Sequence, residues 1–264
     1  MSVFDQVVRP ANGAAWVTGA SGGIGRALAL ALVADGWTVW ATARGADKLD
    51  VLAAEAKGPG SIRPLPCDVT DREGMERAAA TIIAEGPLAL LILNAGIYQP
   101  MRAQNFDAAL AAKTFDVNLT GVANGLAPAM RHMIDRGAGH IALTASVAGY
   151  RGLPNAAAYS ATKAGLIAMA EALAMDLVDL GVRISVINPG FVETEATSVN
   201  DFEMPMLLQP EDAAARIVAG LKRPGFEIRF PWQFAAFLRL IGLLPNRWYI
   251  WTVRKALGWD KMGR

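Results

Sequence analysis

Two rhythms of apolar and polar positions alternate along the first 190 residues. Short β-type apolar runs fall at 15–18, 38–43, 62–67, 88–93, 140–145 and 183–188. Between them lie longer Ala-rich helical stretches at 24–35, 46–56, 71–85, 106–136 and 155–180. Strands alternating with helices predict βαβ units, and hence a parallel sheet with helices on both faces. The run Leu88-Ala89-Leu90-Leu91-Ile92-Leu93 is apolar throughout, as a strand buried on both sides requires. With 226–230 as a last strand, the expectation is one doubly wound α/β domain over residues 1–264, its sheet about seven strands wide. Residues 230–264 form a helical extension, at 232–244 and 248–257, interrupted by Pro245.

Composition supports this picture and narrows it. The 264 residues are 53% hydrophobic and 19% charged, which rules out disorder of the whole chain and suits one large core. A single cysteine, Cys67, excludes an intrachain disulfide and a thiolate zinc site. Two histidines, His132 and His140, leave little for a histidine-based centre, so no metal is expected. Met1-Ser2-Val3-Phe4-Asp5 has no basic region followed by an apolar run, and no apolar stretch reaches the length of a spanning helix. A cytoplasmic protein is the expectation.

The net charge of +1 hides an asymmetry. Residues 222–264 hold nine Lys/Arg against two acidic residues, Glu227 and Asp260. Four of the seven tryptophans lie there too: Trp232, Trp248, Trp251 and Trp259.

The first candidate chemistry is a glycine loop. The first strand runs into Thr18-Gly19-Ala20-Ser21-Gly22-Gly23-Ile24-Gly25, and a helix follows. Glycines there let the backbone turn tightly and approach a pyrophosphate, whose charge a helix N-terminus favours. The same residues also match the G-x-S-x-G elbow of serine hydrolases. That mechanism needs an acid and then a histidine late in the chain, and the last histidine is His140. The hydrolase reading fails on its missing base. Strand 2 ends Thr42-Ala43-Arg44, with alanine where an NAD site usually has an acid for the ribose hydroxyl. Arg44 instead suits a 2′-phosphate, and so NADP.

The second is Tyr159-Ser160-Ala161-Thr162-Lys163, which opens the helix at 155–180. Residues at i and i+4 share one face, so phenol and ammonium project into the same space. A cation beside the phenol is expected to lower its pKa and fit it for general acid/base work. Ser146 at the end of strand 5 and Asn118 on the preceding helix keep it company.

Taken in order, these motifs resemble the short-chain dehydrogenase/reductase family in its single-domain, Rossmann-type form, over roughly residues 12–194. The resemblance rests on Thr18-Gly19-(x)3-Gly23-Ile24-Gly25, Asp68-Val69, Asn94-Ala95-Gly96, Asn118, Ser146, Tyr159-x-x-x-Lys163 and Asn188-Pro189-Gly190 with Thr194. It implies that Tyr159 exchanges a proton with the substrate oxygen, and that Lys163 tunes it and holds the nicotinamide ribose. It gives Ser146 a hydrogen bond to that oxygen and Asn118 a relay water. The cofactor would meet Gly19, Ser21, Gly23, Ile24 and Gly25, then Asp68 and Val69 at the adenine and Asn94, Ala95 and Gly96 at the adenosine side. Pro189, Gly190, Val192 and Thr194 would face the nicotinamide end. A homodimer through helices 106–136 and 155–180 is also implied.

The chain departs from many relatives, including acyl-carrier-protein ketoreductases, in lacking a glycine-rich final strand. Its tail admits three readings: an interfacial membrane segment with aromatics at headgroup depth, a lid over the cleft, or a dimer contact. Each leaves an apolar surface, which favours a small hydrophobic carbonyl or alcohol as partner. Met204, Pro205, Met206, Leu207 and Leu208 point the same way, as an adaptable substrate loop. Nothing beyond the basic tail favours nucleic acid. A non-catalytic NADP sensor of the same fold is the alternative; the complete proton-handling set speaks against it.

Overall fold

A computed structural model describes residues 6–199 and 204–256. Its centre is a parallel sheet of seven strands: β1 (Ala14–Thr18), β2 (Thr38–Thr42), β3 (Ser61–Pro64), β4 (Leu88–Leu93), β5 (Gly139–Thr144), β6 (Val182–Pro189) and β7 (Glu227–Phe230). They lie in the order β3-β2-β1-β4-β5-β6-β7. Strand order reverses direction between β1 and β4, and this is where a doubly wound sheet opens a crevice at its carboxyl edge. Every residue of β4, β5 and β6 is buried; β4 is apolar throughout, while β5 and β6 carry His140, Arg183, Ser185 and Asn188 in hydrogen bonds.

One face of the sheet is covered by α1 (Gly23–Ala34), α2 (Ala46–Glu55) and α7 (Pro210–Leu221), through Leu28, Leu32, Leu49, Leu52 and Ile217. The other face is covered by α3 (Arg72–Glu85), α5 (Gly121–Arg136) and α6 (Ala157–Leu177), through Met75, Leu126, Met133 and Leu166. Helix starts follow local chemistry. The Asp71 carboxylate accepts from Gly74 N at 3.0 Å to begin α3. Asp107 accepts from Ala109 N and Leu110 N to begin α4 (Ala108–Phe115).

The helix expected over 106–136 is not continuous. Between α4 and α5 the chain makes a π turn at Asp116–Thr120, and Asn118 sits inside it. A π turn lodges an extra residue in the helix and re-aims its side chains, and such turns gather at functional sites. Strand 3 is also shorter than expected. Leu65 N and Cys67 N still bond Ala41 O and Ala43 O, but the regular ladder stops at Pro64.

Beyond β7 come α8 (Trp232–Gly242) and α9 (Asn246–Ala256), close to the expected extension; Leu257 and Trp259 lie outside the described residues. The two helices pack back on the domain. Ala235, Leu238, Ile241, Tyr249 and Val253 are buried against Val147, with Tyr150, Leu153 and Phe234 around them. Arg151 ties the hairpin down by donating to Gly242 O and Leu244 O, both at 2.8 Å, while its guanidinium lies 4.0 Å from the centre of the Tyr249 ring. Tyr249 in turn donates to Gly152 O at 2.9 Å. A second anchor is Glu227, which accepts from Tyr150, from Asn188 at 2.7 Å and from Arg229 and Arg239.

Candidate active site

A cavity of about 760 Å³ opens along the carboxyl edge of the sheet. Its first wall is the turn from β1 into α1. Gly19 has φ +69°, and a Cβ there would stand 2.7 Å from Ala95 Cα. A Cβ on Gly25 would meet Gly19 O at 2.1 Å, so α1 approaches β1 only because that position is glycine. Thr18 Oγ1 accepts from Asn94 N and Ala95 N at 3.0 and 3.1 Å, fastening the turn after β4 beside it. No side chain caps α1, in contrast with α3 and α4, and Gly22 has open space where a Cβ would be. The exposed backbone N–H groups and partial positive charge of that helix end suit a phosphate.

Arg44 is exposed just past β2 and lines the same cavity, with Ala43 buried before it. Asp68 lies beside them. Its carboxyl is held below the usual range chiefly by hydrogen bonds from Thr70, with a smaller contribution from Arg44. Along the rest of this half run Ser21, Gly23, Ile24, Val69, Asn94, Ala95 and Gly96, and Pro189, Gly190, Val192 and Thr194 close its far side. These residues fit a dinucleotide carrying a 2′-phosphate: glycines where a chain must pass close, an uncapped helix end, and a cation where NAD sites carry an acid.

Tyr159 and Lys163 stand in the first two turns of α6. The approach to that helix bends through Asn155, whose φ of +59° is one that asparagine tolerates better than most residues. Lys163 is buried and donates from Nζ to Thr144 O at 2.7 Å, its charge 5.5 Å from the centre of the Tyr159 ring. Ser146 lies near enough to the Tyr159 phenol to pull its pKa downward, and it accepts from Ala148 N at 3.1 Å and donates to Pro189 O at 3.4 Å. Tyr98 packs edge-on against the Tyr159 ring, centroids 5.0 Å apart.

The expected lowering of the tyrosine pKa is not what the protein alone provides. Burial pushes Tyr159 up to about 12, against the opposing pull of Ser146. Burial also pushes Lys163 down to about 8, because the ammonium loses water faster than its carbonyl partner repays it. The ammonium of Lys163 therefore loses its proton near pH 8, well before the phenol of Tyr159.

Asn118 differs from its three companions in not reaching the cavity. Its amide is committed to Ile97, accepting from the backbone N at 2.8 Å and donating to the carbonyl at 2.9 Å, and it also donates to Thr162 Oγ1 at 3.2 Å. It stands behind Gly96, where a Cβ would be 3.3 Å from Asn118 Oδ1 and 3.5 Å from Lys163 Nζ. The π turn thus clamps the segment after β4 against α6.

The Met204–Leu208 segment does not form the substrate wall expected of it. Leu208 pairs with Val192 and packs on the sheet side, Met206 and Leu207 are exposed, and none of the five residues lines the cavity. Backbone bonds from Glu193 N to Leu208 O and from Leu208 N to Phe191 O fasten Leu208 beside Val192. The apolar wall comes instead from Phe234, Phe237, Leu238 and Ile241 of α8 and Val253 and Ala256 of α9. A lid over the cleft is one of the three readings of the tail, and these residues line the cavity.

The glycine turn, the Tyr–Lys helix and the serine at the end of β5 define an oxidoreductase of the short-chain type. The family model described as short chain dehydrogenase matches residues 13–203, and the chain belongs to that family. Among curated relatives, an uncharacterized oxidoreductase of Myxococcus xanthus is 40% identical over 88% of this chain and 92% of its own length. The 3-oxoacyl-acyl-carrier-protein reductase of Thermotoga maritima is 35% identical over 69% of this chain and 74% of its own. Among solved structures, a short chain dehydrogenase of Burkholderia cenocepacia in complex with NADP superposes with a TM-score of 0.79 at 27% identity, covering 95% of this chain and 99% of that one.

Proposed function

We propose that the protein is an NADP-dependent oxidoreductase that interconverts a lipophilic ketone or aldehyde and the corresponding alcohol. One observation carries this reading: Tyr159, Ser146 and Lys163 line a single cavity together with the glycine turn and the apolar residues of α8 and α9. The NADP complex of the Burkholderia relative and the Arg44 position support the cofactor. NADP, when bound, supplies or takes up the hydride at its nicotinamide ring.

The chain's own residues handle everything else. The α1 N-terminus and Gly19, Ser21, Gly23, Ile24 and Gly25 receive the pyrophosphate, and Arg44 takes the 2′-phosphate. Asp68 and Val69 border the adenine, Asn94, Ala95 and Gly96 the adenosine side. Pro189, Gly190, Val192 and Thr194 border the nicotinamide, leaving Tyr159 and Ser146 to meet the substrate oxygen. In reduction, Tyr159 gives its proton to that oxygen while Ser146 holds it by a hydrogen bond; in oxidation the proton returns. Lys163 shares its proton with Tyr159 and refills it. Asn118 acts as a positioning residue behind Gly96 and Lys163. The wall of α8 and α9 excludes water and selects apolar substrates, acting as a lid.

A homodimer through α5 and α6 belongs to the same reading; the exposed Met175 and Val178 at the end of α6 support it. So does a cytoplasmic location, with peripheral membrane contact through the tail. Among the described residues no helix is long and apolar enough to cross a membrane. The test is oxidation of NADPH and of NADH, followed by absorbance, against long-chain aldehydes, aromatic ketones, steroid ketones and sugars. Turnover with NADPH on the lipophilic members is the expected result. Turnover confined to sugars would overturn the substrate class, and silence from a folded, NADPH-binding protein would favour the sensor alternative.

A further inference from the structure

The hairpin of α8 and α9 has two apolar faces, and folding uses only one. The inner face closes the cavity and packs on Val147. The outer face leaves Trp232 64% exposed, Leu240 67%, Leu243 82%, Trp248 59%, Ile250 56% and Trp251 54%, all within twenty residues of chain. A concentration of large apolar side chains like this marks a surface made for contact.

Charge decides what the contact is with. Residues 228–256 contain no Asp or Glu, but do contain Arg229, Arg239, Arg247, Arg254 and Lys255. Arg229 and Arg239 are engaged by Glu227, so the cationic rim of the outer face is Arg247 and Lys255 on α9. Lys255 lies 4.8 Å from the centre of the Trp251 ring, which puts a cation at the edge of the aromatic cluster. A second copy of this chain docking by a twofold axis would set these like charges against each other. A surface of anionic headgroups over hydrocarbon complements both features, because tryptophans settle at headgroup depth and cations pair with phosphates. Each helix has 11 residues, about 16 Å of rise against a hydrocarbon core of roughly 30 Å, so the pair lies along the surface and does not span it.

The geometry points to the outer face of α8 and α9 as a docking surface for anionic phospholipid. The consequence for the proposed reaction is direct. The helices that touch lipid on one side are the wall of the cavity on the other, so an apolar substrate reaches Tyr159 from the bilayer past Phe237 and Leu238 without crossing bulk water. That consequence rests on the oxidoreductase reading; the docking deepens the membrane contact proposed with it and does not depend on the reaction.

The experiment is co-sedimentation of the NADP-loaded protein with vesicles of phosphatidylcholine, alone or with about a third phosphatidylglycerol. Binding to the mixed vesicles should be stronger by on the order of tenfold or more, and high salt should weaken it. The triple variant Leu240→Ser/Leu243→Ser/Trp248→Ser changes exposed residues outside the cavity wall. It should lose vesicle binding yet reduce a water-soluble ketone at the parental rate. No binding by the parent, equal binding to neutral and mixed vesicles, or binding that survives in the triple variant would each overturn the proposal. So would a parental dimer that the triple variant converts to monomer, since the face would then be a subunit contact. Vesicle binding is read without turnover, so its failure leaves the redox reading standing, and failed turnover leaves docking standing.

Discussion

The two ends of the cavity are built from different materials. At the cofactor end the walls are backbone: the glycine turn after β1, the uncapped start of α1, and the segment after β4 fastened by Thr18. At the substrate end they are side chains: Phe234, Phe237, Leu238 and Ile241 from α8 with Val253 and Ala256 from α9. A backbone wall tolerates almost no substitution, since a single Cβ on Gly25 would collide with Gly19 O. A side-chain wall can be repacked with another apolar residue at modest cost. The contrast separates chemistry that must be the same for every substrate from selectivity that differs between substrates.

The largest expected effect sits where the two materials meet. Tyr159→Phe should lower kcat by roughly a thousandfold, within the range of lost general acid catalysis, while NADPH binding measured by fluorescence stays within about twofold. Loss of NADPH binding together with activity would mean that the phenol belongs to the cofactor wall and not to the junction.

Next in size, Arg44→Asp should exchange NADPH preference for NADH, with a fall of about ten- to a hundredfold in kcat/KM for NADPH, the size of a lost charge-assisted hydrogen bond. KM for the carbonyl substrate should not move. An unchanged cofactor preference would remove the argument from the end of β2.

The pH dependence comes third. Lys163 has its pKa depressed to about 8, so its ammonium loses a proton as pH rises through that value, while Tyr159 keeps its own until about 12. Below pH 8 the pair is doubly protonated and a donor; above it, singly protonated and an acceptor. Alcohol oxidation should therefore rise between about pH 7 and 9, and carbonyl reduction fall over the same window, each by about tenfold. Lys163→Met should move the oxidation limb upward, toward the value of the phenol alone. A limb that stays in place would assign the titration to another group.

The smallest effect belongs to the side-chain wall. Phe237→Ala should raise KM for a bulky apolar ketone by several-fold to about tenfold and leave NADPH affinity unchanged, as loss of one apolar contact in a pocket predicts. If NADPH affinity fell as much, the division between the two ends would be false.

Much of the fold was legible because a parallel sheet imposes a local pattern: a strand buried on both faces must be apolar throughout, as β4 is. The cofactor wall was legible for a related reason. Glycines are required one by one at Gly19 and Gly25, and Tyr159 and Lys163 are brought together by the helix period itself. Three features escaped. The π turn at Asp116–Thr120 depends on Asn118 bonding Ile97 across 21 residues, which no local pattern announces. The raised phenol and lowered ammonium depend on how deeply the pair is buried. The pattern leaves the apolar wall open between Met204–Leu208 after Thr194 and the tail as a lid, and Arg151 and Glu227 bring α8 and α9 over the cavity from a remote part of the chain. The strands, the glycine turn and the Tyr–Lys pair can be read from the chain alone, because each is set by neighbours within a few residues. Which apolar segment lines the cavity, and how Tyr159 and Lys163 hold their protons, follow from packing and desolvation, which residues far away along the chain set.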